Sequence, residues 1–250
     1  MRTKSYYYLL LPLFLVFLWI AIVHFRLVSL LFVPNPIDVL MEFSTLVQNG
    51  QLFEDAAATI GRTLIGFFIA CGIGIPLGLL MGYSDRIYSA LEFLVEFFRS
   101  IPATALFPFF LLLFGIGDES KIALAAWTAG LVLVVNSMYG VHLGKELRIR
   151  AARTMRVSQK DLFVKIIFPE ALPQIFNGMR IGISLSLIIV VVAEMFIGTT
   201  SGIGHRIVDA QLAYRVPEMY VFILLSGVIG FVLNRTFIHI ENRVVHWKGK

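Results

Sequence analysis

Apolar residues run in long blocks along this chain, and six of those blocks are long enough for a membrane-crossing helix. A hydrocarbon layer of roughly 30 Å needs about 20 mostly apolar residues per helix. The blocks are residues 9–25, 59–81, 94–114, 122–141, 175–196 and 220–238. The first follows Arg2 and Lys4 and has the flanks of a signal peptide. It is long, rich in bulky aromatics and lacks a small-residue cleavage site before Arg26, so it reads as a retained anchor. Between the first two blocks, residues 37–58 repeat apolar positions at helical spacing (Val39, Leu40, Phe43, Leu46, Val47), which predicts a surface helix outside the membrane. Pro34 and Pro36 precede it.

Composition supports this picture. Of the 250 residues 58% are apolar and 15% charged, where an ordinary soluble domain has about 25% charged. Mean hydropathy is +0.84. So little polar surface cannot cover that much apolar side chain in water, which excludes a soluble enzyme, a disordered chain and a nucleic-acid-binding domain. The net charge of +5 therefore reads as topology. Residues 28–60 hold no Lys or Arg, and the turn at 115–120 holds only Asp118 and Glu119. Residues 141–174 hold Lys145, Arg148, Arg150, Arg153, Arg156, Lys160 and Lys165, and the tail adds Arg243, Lys248 and Lys250. Positive charge stays inside, so both termini and the 141–174 segment are expected in the cytoplasm. The expected fold is an all-α integral membrane protein of about six transmembrane helices, with a cytoplasmic hairpin between the fourth and fifth. Residues 1–32 form the N-terminal segment and first span. Residues 33–240 form the transmembrane domain, with helices two to six within 59–238 and a cytoplasmic loop at 142–174. Residues 241–250 form a cytoplasmic tail.

Three features within the spans carry candidate roles. Gly74, Gly78 and Gly82 lie four apart, with Gly66 and Ala70 on the same row. Such a row lets two helix backbones approach, either within one chain or between subunits. Arg99, Ser100, Ile101 and Pro102, with Pro108 further on, predict an interruption of the third span, either a simple kink or part of a solute path. Arg99 and Arg180 lie near the cytoplasmic ends of their helices and are expected to anchor them or to pair with nearby carboxylates such as Glu92 and Glu96. Glu194 stands inside an apolar run, where a carboxylate is costly unless paired, wetted or within reach of the interface. Arg206 and Arg215, in the outer loop at 197–218, are either solvated or a lure for an anion. The one cysteine, Cys71, excludes an internal disulfide, and the scattered histidines have no ligand spacing. No nucleophile elbow, phosphate loop or carboxylate pair supports intramembrane catalysis.

The cytoplasmic segment is the richest in signals. Residues 145–155 read as one helix. Ser158, followed three residues later by Asp161, is a capping-box-like start for a second, expected over 159–168 and stopped by Pro169. Leu162, Phe163, Ile166 and Ile167 form its apolar face. Such a hairpin suits either an anionic lipid surface or a partner's groove.

Ala151 and Ala152, then Ile166, Phe168 and Pro169, resemble the cytoplasmic loop motif of permease subunits of bacterial binding-protein-dependent ABC importers. That motif reads Glu-Ala-Ala, three residues, Gly, nine residues, Ile, any residue, Leu-Pro. Here Arg150 replaces the Glu, Arg156 the Gly and Phe168 the Leu. Arg in a left-handed turn costs about 1 kcal/mol. Further stretches resemble the nitrate/sulfonate/taurine/bicarbonate branch, in order over roughly 33–240. They are Val33-Pro34-Asn35-Pro36 with Val39, Gly74-Ile-Pro-Leu-Gly-Leu-Leu-Met-Gly82, Phe98-Arg-Ser-Ile-Pro102, Phe114-Gly-Ile-Gly-Asp-Glu-Ser-Lys121, Val191-Val-Ala-Glu-Met195 and Ser201-Gly-Ile-Gly204.

The resemblance implies the permease subunit of an ATP-driven ABC importer in the bacterial inner membrane. Its solute would be small, an oxyanion or sulfonate of the nitrate, taurine, alkanesulfonate or bicarbonate type. It implies a second permease subunit, identical or not, two cytoplasmic ATPase subunits and an extracytoplasmic binding protein, in a lipid membrane and with no nucleic acid. ATP and Mg would sit on the ATPases, and this chain would bind no cofactor or metal and catalyse nothing. The coupling loop would comprise Ala151, Ala152, Met155, Arg156, Ser158, Asp161, Leu162, Phe163, Ile166 and Pro169. Gly74, Gly78, Gly82, Arg99, Pro102 and Glu194 are candidates for the pathway or for helix packing. The competing reading is a stand-alone dimeric channel or secondary transporter without ATP coupling.

Overall fold

A computed structural model describes residues 7–142, 152, 154–155 and 157–245. Described residues are helical or in short connections. In chain order the helices are α1 (Tyr7–His24), α2 (Pro36–Gln48), α3 (Gln51–Tyr83), α4 (Asp85–Ser100), a single 3₁₀ turn (Ala103–Leu106), α5 (Phe107–Phe114), α6 (Asp118–His142), α7 (Gln159–Phe196), α8 (Ile203–Leu212) and α9 (Val216–Val244). Four of them, α3, α6, α7 and α9, are long and apolar enough to cross a membrane. α1 is apolar throughout but shorter. It is tied down where the Trp19 Nε1–H donates to the Pro34 carbonyl at 3.0 Å and its ring meets Tyr220.

α3, α6 and α7 form the centre, with α8 and α9 against α7 and α2 against α9. The glycine row of α3 sets a tight seam with α6. A Cβ on Gly74 would stand 2.8 Å from the Gly130 carbonyl, one on Gly78 2.2 Å from the Val134 carbonyl, and one on Gly82 2.7 Å from Val141 Cβ. All three neighbours belong to α6 of the same chain. Only a missing side chain lets the backbones lie this close.

Several boundaries differ from the sequence expectation. The span expected at 94–114 is two helices meeting at 90°. Ile101, which precedes Pro102, is extended (φ −78°, ψ 123°). A residue before proline is pushed out of the helical region, so the chain breaks there rather than kinking. Pro108 does no such harm, because it falls in the first turn of α5, where its missing N–H has no partner to lose. α4 itself has no residue buried in this chain. The outer surface helix expected over 37–58 stops at Gln48. Gly50, at φ +78°, turns the chain, and α3 begins at Gln51, well before the membrane block. Residues 197–218, expected to be an outer loop, contain α8. Finally, Pro169 does not stop the helix that starts at Gln159. A π-helical turn at Phe163–Ile167 lies just ahead of it, with the Phe168 N–H on the Phe163 carbonyl. The wider turn carries the helix past the proline, and α7 continues to Phe196.

Candidate functional site

Polar chemistry collects at three levels of the bundle. At the basic end, Ser158 caps α7. Its Oγ accepts from the Asp161 N–H at 3.1 Å and donates to the Asp161 carboxylate at 2.9 Å. Lys165 Nζ lies 2.7 Å from the other carboxylate oxygen. Ala152, Leu162 and Ile167 are buried against Leu79 of α3, Val141 of α6 and Ala171 and Ile175 further along α7. Phe163 packs edge-on to Tyr83, whose hydroxyl bonds Gln159 at 2.8 Å. The expected apolar docking face is thus turned inward: Leu162 is only 2% exposed. What stands free is Met155 at 79% and Val164 at 53%, with Lys160 and Lys165 exposed beside them. Ile166 and Pro169 are half-buried. Ala151 and Arg156 lie outside the described residues.

At the opposite end a buried ionic knot joins four helices. Arg62 of α3 donates to Glu194 of α7 at 2.6 Å, to Asp118 of α6 at 2.8 Å and to the Ser201 carbonyl at 2.9 Å. Thr59 donates to Glu194 and accepts the Ile203 N–H at 2.9 Å. Glu194 accepts the Gly204 N–H at 2.9 Å, and Asp55 accepts the Gly202 N–H at 2.8 Å. The free N–H groups at the start of α8 are therefore satisfied by side chains from α3 and α7. Both glycines of the Ser201–Gly204 stretch are required. Gly202 has φ +123°, and a Cβ on Gly204 would fall 2.0 Å from the Val191 carbonyl. Glu194 is 2% exposed, so it is a paired interior carboxylate rather than one reaching for the interface. Arg206 pairs with Asp55 at 2.7 Å and Arg215 with Glu218 at 2.5 Å, so neither arginine is an open lure. Sequence reading passed over Asp55, Thr59 and Arg62. The signal was there: an arginine inside an apolar block needs an acid, and Glu194 is the acid without one.

Between these ends, α6 and α7 share a line of amides. Asn136 Oδ1 accepts from Gln174 at 3.2 Å and from Asn177 at 3.4 Å, and Asn177 Oδ1 accepts from Arg180 at 3.1 Å. Arg99 is elsewhere. It lines a small cleft of about 30 Å³ between α4 and α6 with Tyr88, Glu92 and Glu96, and reaches ion-pair distance of neither acid. Pro102 is exposed at the α4–α5 break. The sequence candidates thus divide among separate regions: the glycine row at the α3–α6 seam, Glu194 in the ionic knot, and the loop residues at the basic end.

Comparison with known proteins agrees with this architecture. A probable ABC transporter permease protein of Brucella abortus (strain 2308) is 35% identical, over 87% of this chain and 86% of its own length. The putative aliphatic sulfonates transport permease protein SsuC of Bacillus subtilis is 29% identical over 96% and 87%. The nitrate import permease protein NrtB of Synechocystis sp. is 32% identical over 85% and 80%. A solved structure of the MetNI methionine ABC transporter in an inward-facing conformation superposes with a TM-score of 0.68. It covers 79% of this chain and 97% of that one at 20% identity, which shows a shared fold. Residues 74–246 match the family described as binding-protein-dependent transport system inner membrane component. The ordered motifs, the all-helical membrane architecture and this match lead to one conclusion: the chain belongs to that family, the permease subunits of ABC importers.

Proposed function

We propose that the chain forms, with a second permease subunit, the inner-membrane path of an importer for a small oxyanion or sulfonate. Two cytoplasmic ABC ATPases would drive it, and an external binding protein would deliver the solute. The observation that carries the reading is the likeness along most of the chain to permeases named for aliphatic sulfonates and for nitrate. ATP and Mg belong to the ATPases in this reading. The excess of basic residues over 141–174 and in the tail supports a reading with both termini and the start of α7 in the cytoplasm.

The geometry at the basic end suits coupling. A capped helix start is fixed in direction by Ser158 and Asp161 and is rooted by Leu162 and Ile167 in the bundle. A push on it would be carried along the continuous α7 to the far end of the membrane. The surface offered to an ATPase is the exposed Met155 and Val164, with Lys160 and Lys165 also exposed, since Leu162 already serves the chain's own core.

The test is to purify the tagged chain from its native membrane in mild detergent, as wild type, M155D and V164D. The wild type should bring an ATPase with it. Both variants should remain in the membrane, lose the ATPase and lose ATP-driven uptake. Equal ATPase recovery and uptake in all three would remove the coupling role. Uptake that needs no ATP would favour a stand-alone channel or secondary transporter.

A further inference from the structure

We infer that α4 is the surface on which a second copy of this chain docks, with Glu96 and Arg99 of one copy pairing with Arg99 and Glu96 of the other. This docking surface rests on the importer reading, which calls for a second permease subunit, and it names where that subunit sits and what it is.

α4 is a helix that its own chain barely holds. None of its residues is buried, although Ile87, Leu91 and Val95 lean on Met81 of α3 and on Val134 and Met138 of α6. It runs along α6 from the basic end toward the middle of the span. Tyr88, near its start, meets the ring of His142 at 5.7 Å, and Phe98, near its end, packs edge-on to Trp127 at 5.1 Å. Trp127 is nine residues from the start of α6 and fifteen from its end, about 13 Å and 22 Å along the helix. Together with residues 103–114, α4 has the length and composition to cross a membrane. Its far half is therefore set among hydrocarbon or protein.

That half carries unpaired charge. Asp85, Ser89, Glu92, Glu96 and Arg99 recur at alternating intervals of four and three, so they form one stripe along the helix. Glu92 accepts the Tyr88 hydroxyl. The side chains of Glu96 and Arg99 are exposed and make no ion pair or hydrogen bond among the described residues. A carboxylate and a guanidinium at this depth are each costly in lipid and call for a partner.

Two features select a second copy. The first is charge. Around a two-fold axis along the membrane normal a patch meets itself, so an interface between copies must be complementary to itself. An acid and a base one turn apart meet that condition. Each Arg99 reaches the Glu96 of the other copy across a rise of about 4.5 Å. The second is the flank of the stripe. Phe93 and Phe97 are exposed and stacked on one another, with Leu94 exposed beside them. Lipid suits these side chains but rejects the charges, and a water-filled path suits the charges but rejects the rings. A protein surface closes over both.

A Glu96–Arg99 pair within one helix would use the same charges, so the test is made in trans. Two differently tagged copies are expressed together in the native membrane and solubilised in mild detergent. One tag is pulled down and the other is measured, with ATPase recovery and ATP-driven uptake followed on the same cells. E96R in both copies, or R99E in both, sets like charges across the axis and should lower recovery of the second tag about tenfold or more. E96R in one copy with R99E in the other restores opposite charges between copies alone, and recovery should return to near the wild-type level. An intrahelical pair predicts no such rescue, because each copy then holds two like charges. If the charge variants fail to reach the membrane, S89C supplies a second readout. In a C71S background it should form an oxidant-induced disulfide between copies, whereas V228C on α9 should not; absence of the S89C link overturns the inference. So does second-tag recovery unchanged by the like-charge variants, or a lack of rescue in trans. A wild type whose two tags never meet also overturns it, and ATPase recovered with that chain would leave the importer reading standing with a non-identical second subunit. Copies that pair through α4 without ATPase or ATP-driven uptake would instead defeat the importer reading and leave the docking surface in place.

Discussion

Replacing Gly78 with Ala adds one methyl group at the closest point of the α3–α6 seam. That methyl carbon would stand 2.2 Å from the Val134 carbonyl oxygen and 2.8 Å from Ser137 Cβ. An ordinary carbon–oxygen contact is about 3.3 Å, so the helices must part by about 1 Å. The obstacle is backbone, which cannot swing aside as a side chain would. A gap of that size forfeits roughly a quarter to a half of each dispersion contact along the seam. Those contacts extend from Gly66 against Ile122 to Gly82 against Met138. Overpacking of this kind costs about 1–3 kcal/mol, and a rigid carbonyl puts Gly78→Ala at the upper end. Better helix propensity returns up to about 1 kcal/mol, for a net loss of about 2 kcal/mol. Gly72 lies on the same helix with nothing within 4 Å of its added carbon. Gly72→Ala should therefore be neutral or stabilise by up to about 1 kcal/mol. The two variants, identical in chemistry, should shift thermal unfolding of the purified chain in mild detergent in opposite directions. The Gly78→Ala shift should not depend on protein concentration, because the seam is inside one chain. Equal shifts, or a Gly78 effect that vanishes on dilution, would refute the argument.

Removing one partner of the ionic knot should be severe. Arg62→Gln leaves Glu194 buried without its cation and should cost about 3–5 kcal/mol in thermal unfolding, part of which Glu194→Gln in the same chain should recover. A loss below 1 kcal/mol for the single variant would contradict the pairing. Leu162→Ala should open a cavity at the root of α7 and cost about 2–5 kcal/mol, whereas Val164→Ala should be nearly silent in the same unfolding assay. Ser158→Ala removes the cap on the Asp161 N–H and should cost about 1 kcal/mol, read as faster hydrogen exchange of the amides of residues 159–162 with the rest of α7 unchanged.

Hydropathy along the chain located the blocks that become α3, α6, α7 and α9, for a physical reason. In lipid the backbone must satisfy its own hydrogen bonds, so each span is a local helix whose signature lies in one continuous stretch. The α6, α7 and α9 blocks therefore lie within the observed helices. The Ser158 cap and the helix-breaking effect of Pro102 were legible too, because capping and pre-proline sterics involve neighbours in sequence. Where the expectation failed, a local rule met a second local feature it did not include. Pro169 was read as a stop, but a π turn ahead of it carried α7 onward. The apolar face of residues 162–167 was legible as a face, though not its partner.

Everything decided between distant residues required the fold. Arg62 and Glu194 are 132 positions apart, and neither sequence neighbourhood names the other. The glycine row announces close approach, but only the tertiary arrangement selects α6 over another subunit as the neighbour. Backbone hydrogen bonding and steric exclusion act over a few residues and leave their marks in sequence. Burial of charge and the pairing of faces act through space, and only the assembled bundle determines them.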